Sequence, residues 1–517
     1  MSIMKCEKRK EEQVGDVYYD GYLYYHIDSK ERTAEVYRFN DNIIDVKIPS
    51  EIQIDNTIFT VNSIGYKAFI NSHLVSLIIP DTVKIIKSHA FYNCKKLERV
   101  LLGEKVERIE DNAFWFCINL RFVNIYQCVR YIGDFAFWGC PIFEDINLCN
   151  IETIGKQAFT GIKVKKLVIS GMVKVIGDFA FSECENLKEV YIGPNVTHIG
   201  EGVFSESYNL ESVIVDEANP HYDSRDNCNA IIETESNTIV VGIQTTICPD
   251  SLVAIGKWAF AACETMDEIK IGKNVEKIED NAYIRINFTN PVLTFPEKVK
   301  TIGENTFEGC TGIKSVFIGS KIERIGEDAF PKDGLEEVVV DGGNKIYDSR
   351  NHCNAIIETS TNKVVFGCKN TIIPDGISII GTSAFSSCED LTIINIPCSV
   401  TKIEDNAFMN CPNLKTIIIP PNVVYLGKAA FAIDFAIFRW ESGELSRGIR
   451  HFYSQIENPE RCDIRDEVFY YYIYDCQSDD IRSEATLYVP KGSIEKYIKS
   501  AVWSQFKSII EMDKNEM

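Results

Sequence analysis

Eight of the eighteen cysteines stand at one repeated place. Cys94, Cys117, Cys140, Cys184, Cys263, Cys310, Cys388 and Cys411 each follow a phenylalanine by three residues. Thiols in a series can ligate a soft metal, pair as disulfides, or pack as small apolar side chains. Zinc sites usually bring two cysteines within two to four residues, whereas these recur about every 23. Stacked at the strand spacing of about 4.8 Å, neighbours would approach disulfide distance. The series skips some turns, however, and no secretion signal points to an oxidising compartment. Buried free thiols are therefore the favoured reading, with no metal or other cofactor expected.

Other reactive types are sparse or unfocused. The seven histidines (His26, His73, His89, His198, His221, His352 and His451) are scattered. No nucleophile elbow, zincin helix, phosphate loop or dinucleotide fingerprint is present. A glycosidase-type carboxylate pair is not selected by anything among the many Asp and Glu. Asp223/Arg225 and Asp348/Arg350 form a repeated polar pair, open to reading as a ligand site or as a turn in which Asp caps the backbone and Arg pairs locally. The turn is favoured. Asp223, Asp226 and Asn229 loosely suggest a calcium loop. The second copy has Asn351 in place of Asp226, and no glutamate sits at EF-hand spacing. The chain reads as no enzyme; only the segment 432–485 leaves room for an activity outside the pattern that fills the rest.

That pattern is the phrase I-G/E-x-x-A-F, from Ile64–Phe69 to Leu426–Phe431, in fourteen copies spaced 22 to 24 residues apart outside two longer intervals. Such a period belongs to a solenoid, in which each coil buries its apolar face against its neighbours. In the coil Leu97–Leu120, Val100 and Leu102 have strand spacing and Gly103 turns the chain. Val106 and Ile109 suggest a second short extended segment. Asp111-Asn112 is expected to open a short helical turn from which Ala113, Phe114 and Cys117 face inward. The expectation is an α/β solenoid with a parallel β-sheet face, short helical turns, two β-hairpin inserts and capping segments.

The inserts, about 216–250 and 341–375, carry nearly the same text: Tyr222-Asp223-Ser224-Arg225 to Thr234, and Tyr347-Asp348-Ser349-Arg350 to Thr359. They lie about 125 residues apart, as a duplicated group of coils would. The organisation expected is a disordered tail over 1–16, an N-terminal β cap over 17–62, the solenoid over 63–435 and an irregular C-terminal capping region over 436–517.

The formal charge is −21, which repels phosphate backbones and argues against nucleic acid. No apolar stretch is long enough to span a membrane, and the first twelve residues lack the apolar core of a secretory signal. As given, the sequence reads as cytoplasmic.

The unit L-x-x-V-x-I-P/G-x-x-V-x-x-I-G-x-x-A-F-x-x-C, the two Y-D-S-R-x-x-C-N-A-I-I-E-T inserts and the tail Leu487-Tyr488-Val489-Pro490-Lys491-Gly492 resemble the BspA-like leucine-rich repeats of bacteria, over roughly residues 17 to 512. The resemblance implies a right-handed leucine-rich-repeat superhelix with a protein-binding or adhesion role. Family members are often exported surface proteins that bind host proteins or other cells. The chain departs from them in showing no signal peptide, lipobox or sorting tail; a secreted or cell-surface location is the alternative to the cytoplasm if a leader is missing.

If Val100 and Leu102 face inward, Arg99 and Leu101 face outward. The same reading in other coils places Leu101, Phe122, Val168, Tyr191, Ile214, Phe317, Val339, Ile393 and Ile418 on the outer face of the sheet. Such an apolar row flanked by charges is how an interaction surface looks, although β-branched and aromatic residues also simply suit strands. The function expected is a non-catalytic scaffold that binds a protein through this face. The alternatives are self-association and glycan binding, the latter through stacking on Phe122, Tyr191 and Phe317.

Overall fold

The computed structural model describes residues 4–11, 15–125, 128–142, 146, 148, 150–434, 448–465, 467–469, 471–472 and 481–513. Cys149, Cys476, Tyr470 and much of the expected C-terminal capping region (436–447 and 473–480) lie outside them. The chain divides into two compact units, Met1–Glu264 and Thr265–Met517.

In the first unit the longest ladder is built from two-residue strands, one per coil. Thr57–Ile64 is followed in parallel by Ile85–Ile86, Arg108–Ile109, Tyr131–Ile132, Thr153–Ile154, Val175–Ile176 and His198–Ile199. The strand preceding Gly103 belongs to shorter parallel sheets. One comprises Asp45–Lys47, Ser76–Ile78, Arg99–Leu101 and Phe122–Val123. The other comprises Lys166–Ile169, Glu189–Ile192 and Ser212–Val215. Arg108 is exposed and Ile109 fully buried, so one isoleucine per coil anchors the long ladder to the core.

No helix forms where a helical turn was expected. Ala113, Trp115 and Cys117 each donate to the carbonyl three residues back (Glu110, Asn112 and Phe114). The intervening N–H groups of Asn112, Phe114 and Phe116 instead reach the next coil, at the carbonyls of Asp134, Ala136 and Trp138, each 2.8 Å away. An α-helix would keep these donors to itself. Asn112 and Phe116 sit at φ +57°, and this left-handed geometry turns alternate peptides toward the neighbouring coil. Asp111 likewise caps no helix: its Oδ1 accepts the backbone N–H of Asp134 at 2.9 Å, and Asp134 repeats the bond to Lys156 at 2.7 Å. Coil-to-coil bonding won over helical bonding, and the fold is a β-solenoid with little helix. Among the described residues the one α-helix is Ile494–Lys499.

The core is a column of rings. Phe69, Phe91, Phe114, Phe137, Phe159, Phe181 and Phe204 stack successively, with centroids 4.8 to 6.0 Å apart. The cysteines line it. Cys94, Cys117 and Cys140 Sγ donate to the carbonyls of Phe69, Phe91 and Phe114 at 3.0, 3.2 and 3.1 Å. Where a coil lacks the cysteine, Ser207 Oγ makes the same bond to Phe181 at 3.1 Å. All eight cysteines are buried and none is in a disulfide. Burial pushes the Cys184 thiol up to about 12.

The tail expected to be disordered is in part strand: Glu7–Glu11 pairs antiparallel with Gly15–Tyr19, which gives its backbone groups partners.

The second unit repeats the plan. Lys277–Ile278, Thr301–Ile302 and Arg324–Ile325 form one parallel ladder; Ile379–Ile380, Lys402–Ile403, Tyr425–Leu426 and Asp463–Ile464 form another. Tyr283, Phe307 and Phe330 stack, as do Phe385, Phe408, Phe431 and Phe469. No helix among the described residues is long and apolar enough to cross a membrane.

Candidate functional site

On the shorter sheets, alternate side chains point in and out as the two-residue strand period requires. Val190 and Ile192 are buried while Tyr191 between them is half-exposed; Val213 and Val215 are buried while Ile214 is 52% exposed. The strand register sets Val168, Tyr191 and Ile214 side by side. Val168 is 40% exposed. Beside this row runs a charged one, with Lys166 Nζ 2.9 Å from Glu189.

The other candidates fall into short runs. Leu101 lies next to Ile78. Phe122 is in register with Arg99 rather than Leu101, and the guanidinium stands 4.3 Å from the centre of its ring. In the second unit Phe317, 39% exposed, lies opposite Val339. Ile393 is 79% exposed. Ile418 opens a row that continues through Tyr453, Tyr488 and Ile510.

The sequence reading reaches Ile418 but not the continuation of that row through Tyr453, Tyr488 and Ile510. The rings of Tyr453 and Tyr488 stack at 4.4 Å and 8°. Their signal was present in the alternation of buried Phe452 and Ser454 about Tyr453, and of Leu487 and Val489 about Tyr488. Without the phrase I-G-x-x-A-F beside them they read as irregular. A second aromatic group, Tyr92, Trp115 and Trp138, stacks along the turns at 4.5 and 5.2 Å. These residues follow the core phenylalanines directly, and only the turn geometry shows that they lie half-exposed.

The two inserts close the ends of sheets. Ala230–Glu233 and Thr238–Gly242 pair antiparallel, as do Ala355–Glu358 and Lys363–Gly367. The outward N–H groups of the edge strand Ser212–Val215 are taken by side chains: Val213 donates to Asn229 Oδ1 at 2.8 Å and Val215 to Ser224 Oγ at 3.1 Å. Val338 and Val340 use Asn354 and Ser349 in the same way. Tyr222 and Tyr347 hydroxyls accept the N–H of Ile199 and Ile325, where the long ladders stop. Arg225 forks onto Asp223 at 2.7 to 3.0 Å, and Arg350 onto Asp348. These polar groups serve the turn, in which the Asn229 amide oxygen accepts the Val213 N–H.

Between the first edge strand and its turn lies a concavity of about 680 Å³ that includes Ile214, Asp216 and Arg225. The Tyr191 hydroxyl donates to the Asp216 carboxylate. This bond raises the tyrosine's pKa and holds that of the carboxylate below its usual range, with help from the Ala218 N–H. No group of three metal-ligating side chains occurs among the described residues.

A family model described as a BspA type leucine rich repeat region in six copies matches residues 33–160, 108–225, 238–355 and 356–442, more than half of the chain. No curated protein matches. Among solved structures the chain is similar to a leucine rich cell surface protein from Faecalibacterium prausnitzii A2-165, at 23% identity over 77% of this chain and 93% of that one, with a TM-score of 0.49. It is similar to a leucine-rich repeat protein from Bacteroides ovatus ATCC 8483, at 20% identity over 95% and 98%, TM-score 0.39. The pneumococcal vaccine antigen PcpA aligns at 14% identity over 99% and 100%, TM-score 0.46. The family model indicates no enzymatic family.

Proposed function

Because the chain belongs to the BspA-type leucine-rich repeat family, we propose that it is a non-catalytic scaffold that binds a protein through the outer face of its short sheets. The observation that carries this reading is the in-register row Val168–Tyr191–Ile214, with Phe317–Val339 at the corresponding place in the second unit. Side chains exposed to this degree do nothing for the core, and contiguous apolar surface on a soluble protein marks contact sites. Charged pairs such as Lys166–Glu189 flank the row as a polar rim would.

The test is capture of partners by wild type and by a variant carrying Val168→Ser, Phe317→Ser and Ile393→Ser, from the source cell's lysate and separately from extracellular host proteins. All three residues are at least 39% exposed, so the variant is expected to fold, which circular dichroism checks. A partner held only by wild type supports the sheet face, and the pool it comes from distinguishes a cytoplasmic role from a surface one. Equal capture by both proteins sinks the reading.

A further inference from the structure

We propose that the concavity beside Ile214 receives an arginine or lysine side chain of the protein partner; this rests on the sheet-face reading and adds the chemistry of what binds. Ile214 and Asp216 both border the concavity, so the apolar row Val168–Tyr191–Ile214 runs directly into it. Its charge is one-sided. Asp216, Glu217, Asp223 and Asp226 line it against the single cation Arg225. That cation is already spent: its Nε and Nη2 hold Asp223, and its Nη1 donates to Asn237 Oδ1 at 2.8 Å. Asp216 is held ionised by the Tyr191 hydroxyl. Glu217 and Asp226 are exposed, and of the two only Asp226 acts on the Arg225 guanidinium through its charge. Four carboxylates against one guanidinium leave a net charge of −3 around an exposed isoleucine. A long aliphatic stem ending in a cation fits that arrangement, laying its methylenes on Ile214 and its head among the carboxylates.

The duplicated insert shows which of these groups the fold itself needs. Asp348, Ser349, Arg350 and Asn354 repeat Asp223, Ser224, Arg225 and Asn229 and make the same bonds. Glu217 and Asp226 are not repeated: Gly342 and Asn351 stand in their places. The second copy carries its extra carboxylate on the strand, at Glu337 in place of Ser212. The turn thus folds without carboxylates at the positions of Glu217 and Asp226, and their presence in the first copy is left to an external partner.

The probe is a fluorescent octapeptide of alternating isoleucine and arginine, titrated against the full chain by anisotropy at physiological salt. A counterpart with glutamine in place of arginine measures the charge requirement. Wild type is expected to bind the arginine peptide and not the glutamine one. Glu217→Gly with Asp226→Asn, the residues the second copy already tolerates, is expected to weaken binding about fivefold or more. Ile214→Ser should weaken it as well. Glu297→Gln with Glu323→Gln removes the same two charges from exposed sites in the second unit and should leave binding unchanged. The inference is overturned if wild type ignores the arginine peptide, if both peptides bind alike, or if the two charge-removing variants behave alike. If it falls while the Val168, Phe317 and Ile393 variant still loses its captured partner, the sheet-face reading survives alone. If that variant captures normally, the sheet-face reading itself has failed.

Discussion

A buried cysteine of the repeat series, such as Cys94, Cys117 or Cys140, is placed for its size and for its proton. It fills the small space beside the phenylalanine column, and its thiol meets a carbonyl that the coil geometry leaves available, as Cys117 does with Phe91. Ser207 makes the same bond to Phe181. Cys117→Ser is therefore expected to stay within about 1 kcal/mol of wild type, whereas Cys117→Val, which donates nothing and overfills the site, should lose about 1–3 kcal/mol in denaturant unfolding. The same burial sets a pH dependence. Cys310 and Cys411 are pushed up to about 12 from an ordinary value of 9.0. The folded chain keeps protons that the unfolded chain releases above pH 9. Their stabilisation is thus complete below pH 9 and is lost as the pH rises to 12. Melting temperature should fall across that window, and less steeply in Cys310→Ser. Tyr222 gives a third residue-scale test. Its hydroxyl takes the Ile199 N–H at 3.0 Å, and Tyr222→Phe strands that buried donor, at a cost of about 1–3 kcal/mol in the same measurement. The repeat offset of the cysteines was plain in the sequence. The carbonyl partner, one coil back and some 26 positions away, was not, because a period gives spacing without saying which backbone groups are left unpaired.

At the scale of the element, the turn decides the fold. A coil spends its turn peptides alternately on itself and on the next coil, which needs left-handed residues such as Asn112 and close contact between backbones. Gly133 shows how close. A Cβ there would stand 2.5 Å from the Asp111 nitrogen and 2.7 Å from the Glu110 carbonyl carbon, and backbone cannot step aside as a side chain can. Gly133→Ala is expected to lose about 1–3 kcal/mol, read by thermal or chemical denaturation. It should also disturb the bond from Asp134 N–H to Asp111, visible as faster amide exchange at Asp134. The helical turn expected from Asp111-Asn112 failed for a physical reason. Local spacing of Ala113, Phe114 and Cys117 suits a helix and a stacked turn equally, and the choice is made by donors reaching a neighbouring coil.

For the whole molecule, the two units each present short exposed rows on their sheets. A monomer of 58.6 kDa in sedimentation equilibrium is the outcome expected of a scaffold whose rows await a different protein. A stable dimer that the Val168, Phe317 and Ile393 variant abolishes would place self-association first. The sequence by itself determined that this is a solenoid, where its coils lie and which residues alternate in and out, because a stacked coil repeats its own chemistry at every turn and periodicity survives in one dimension. Only the tertiary structure decided that the turns are not helices and that the two-residue strands form the longest ladder. It also decided that the outer face is broken into runs, and that Tyr453 and Tyr488 join one of them. Each of these depends on hydrogen bonds and register between coils, and pairing across coils is a property of three-dimensional neighbours that no single coil's sequence carries.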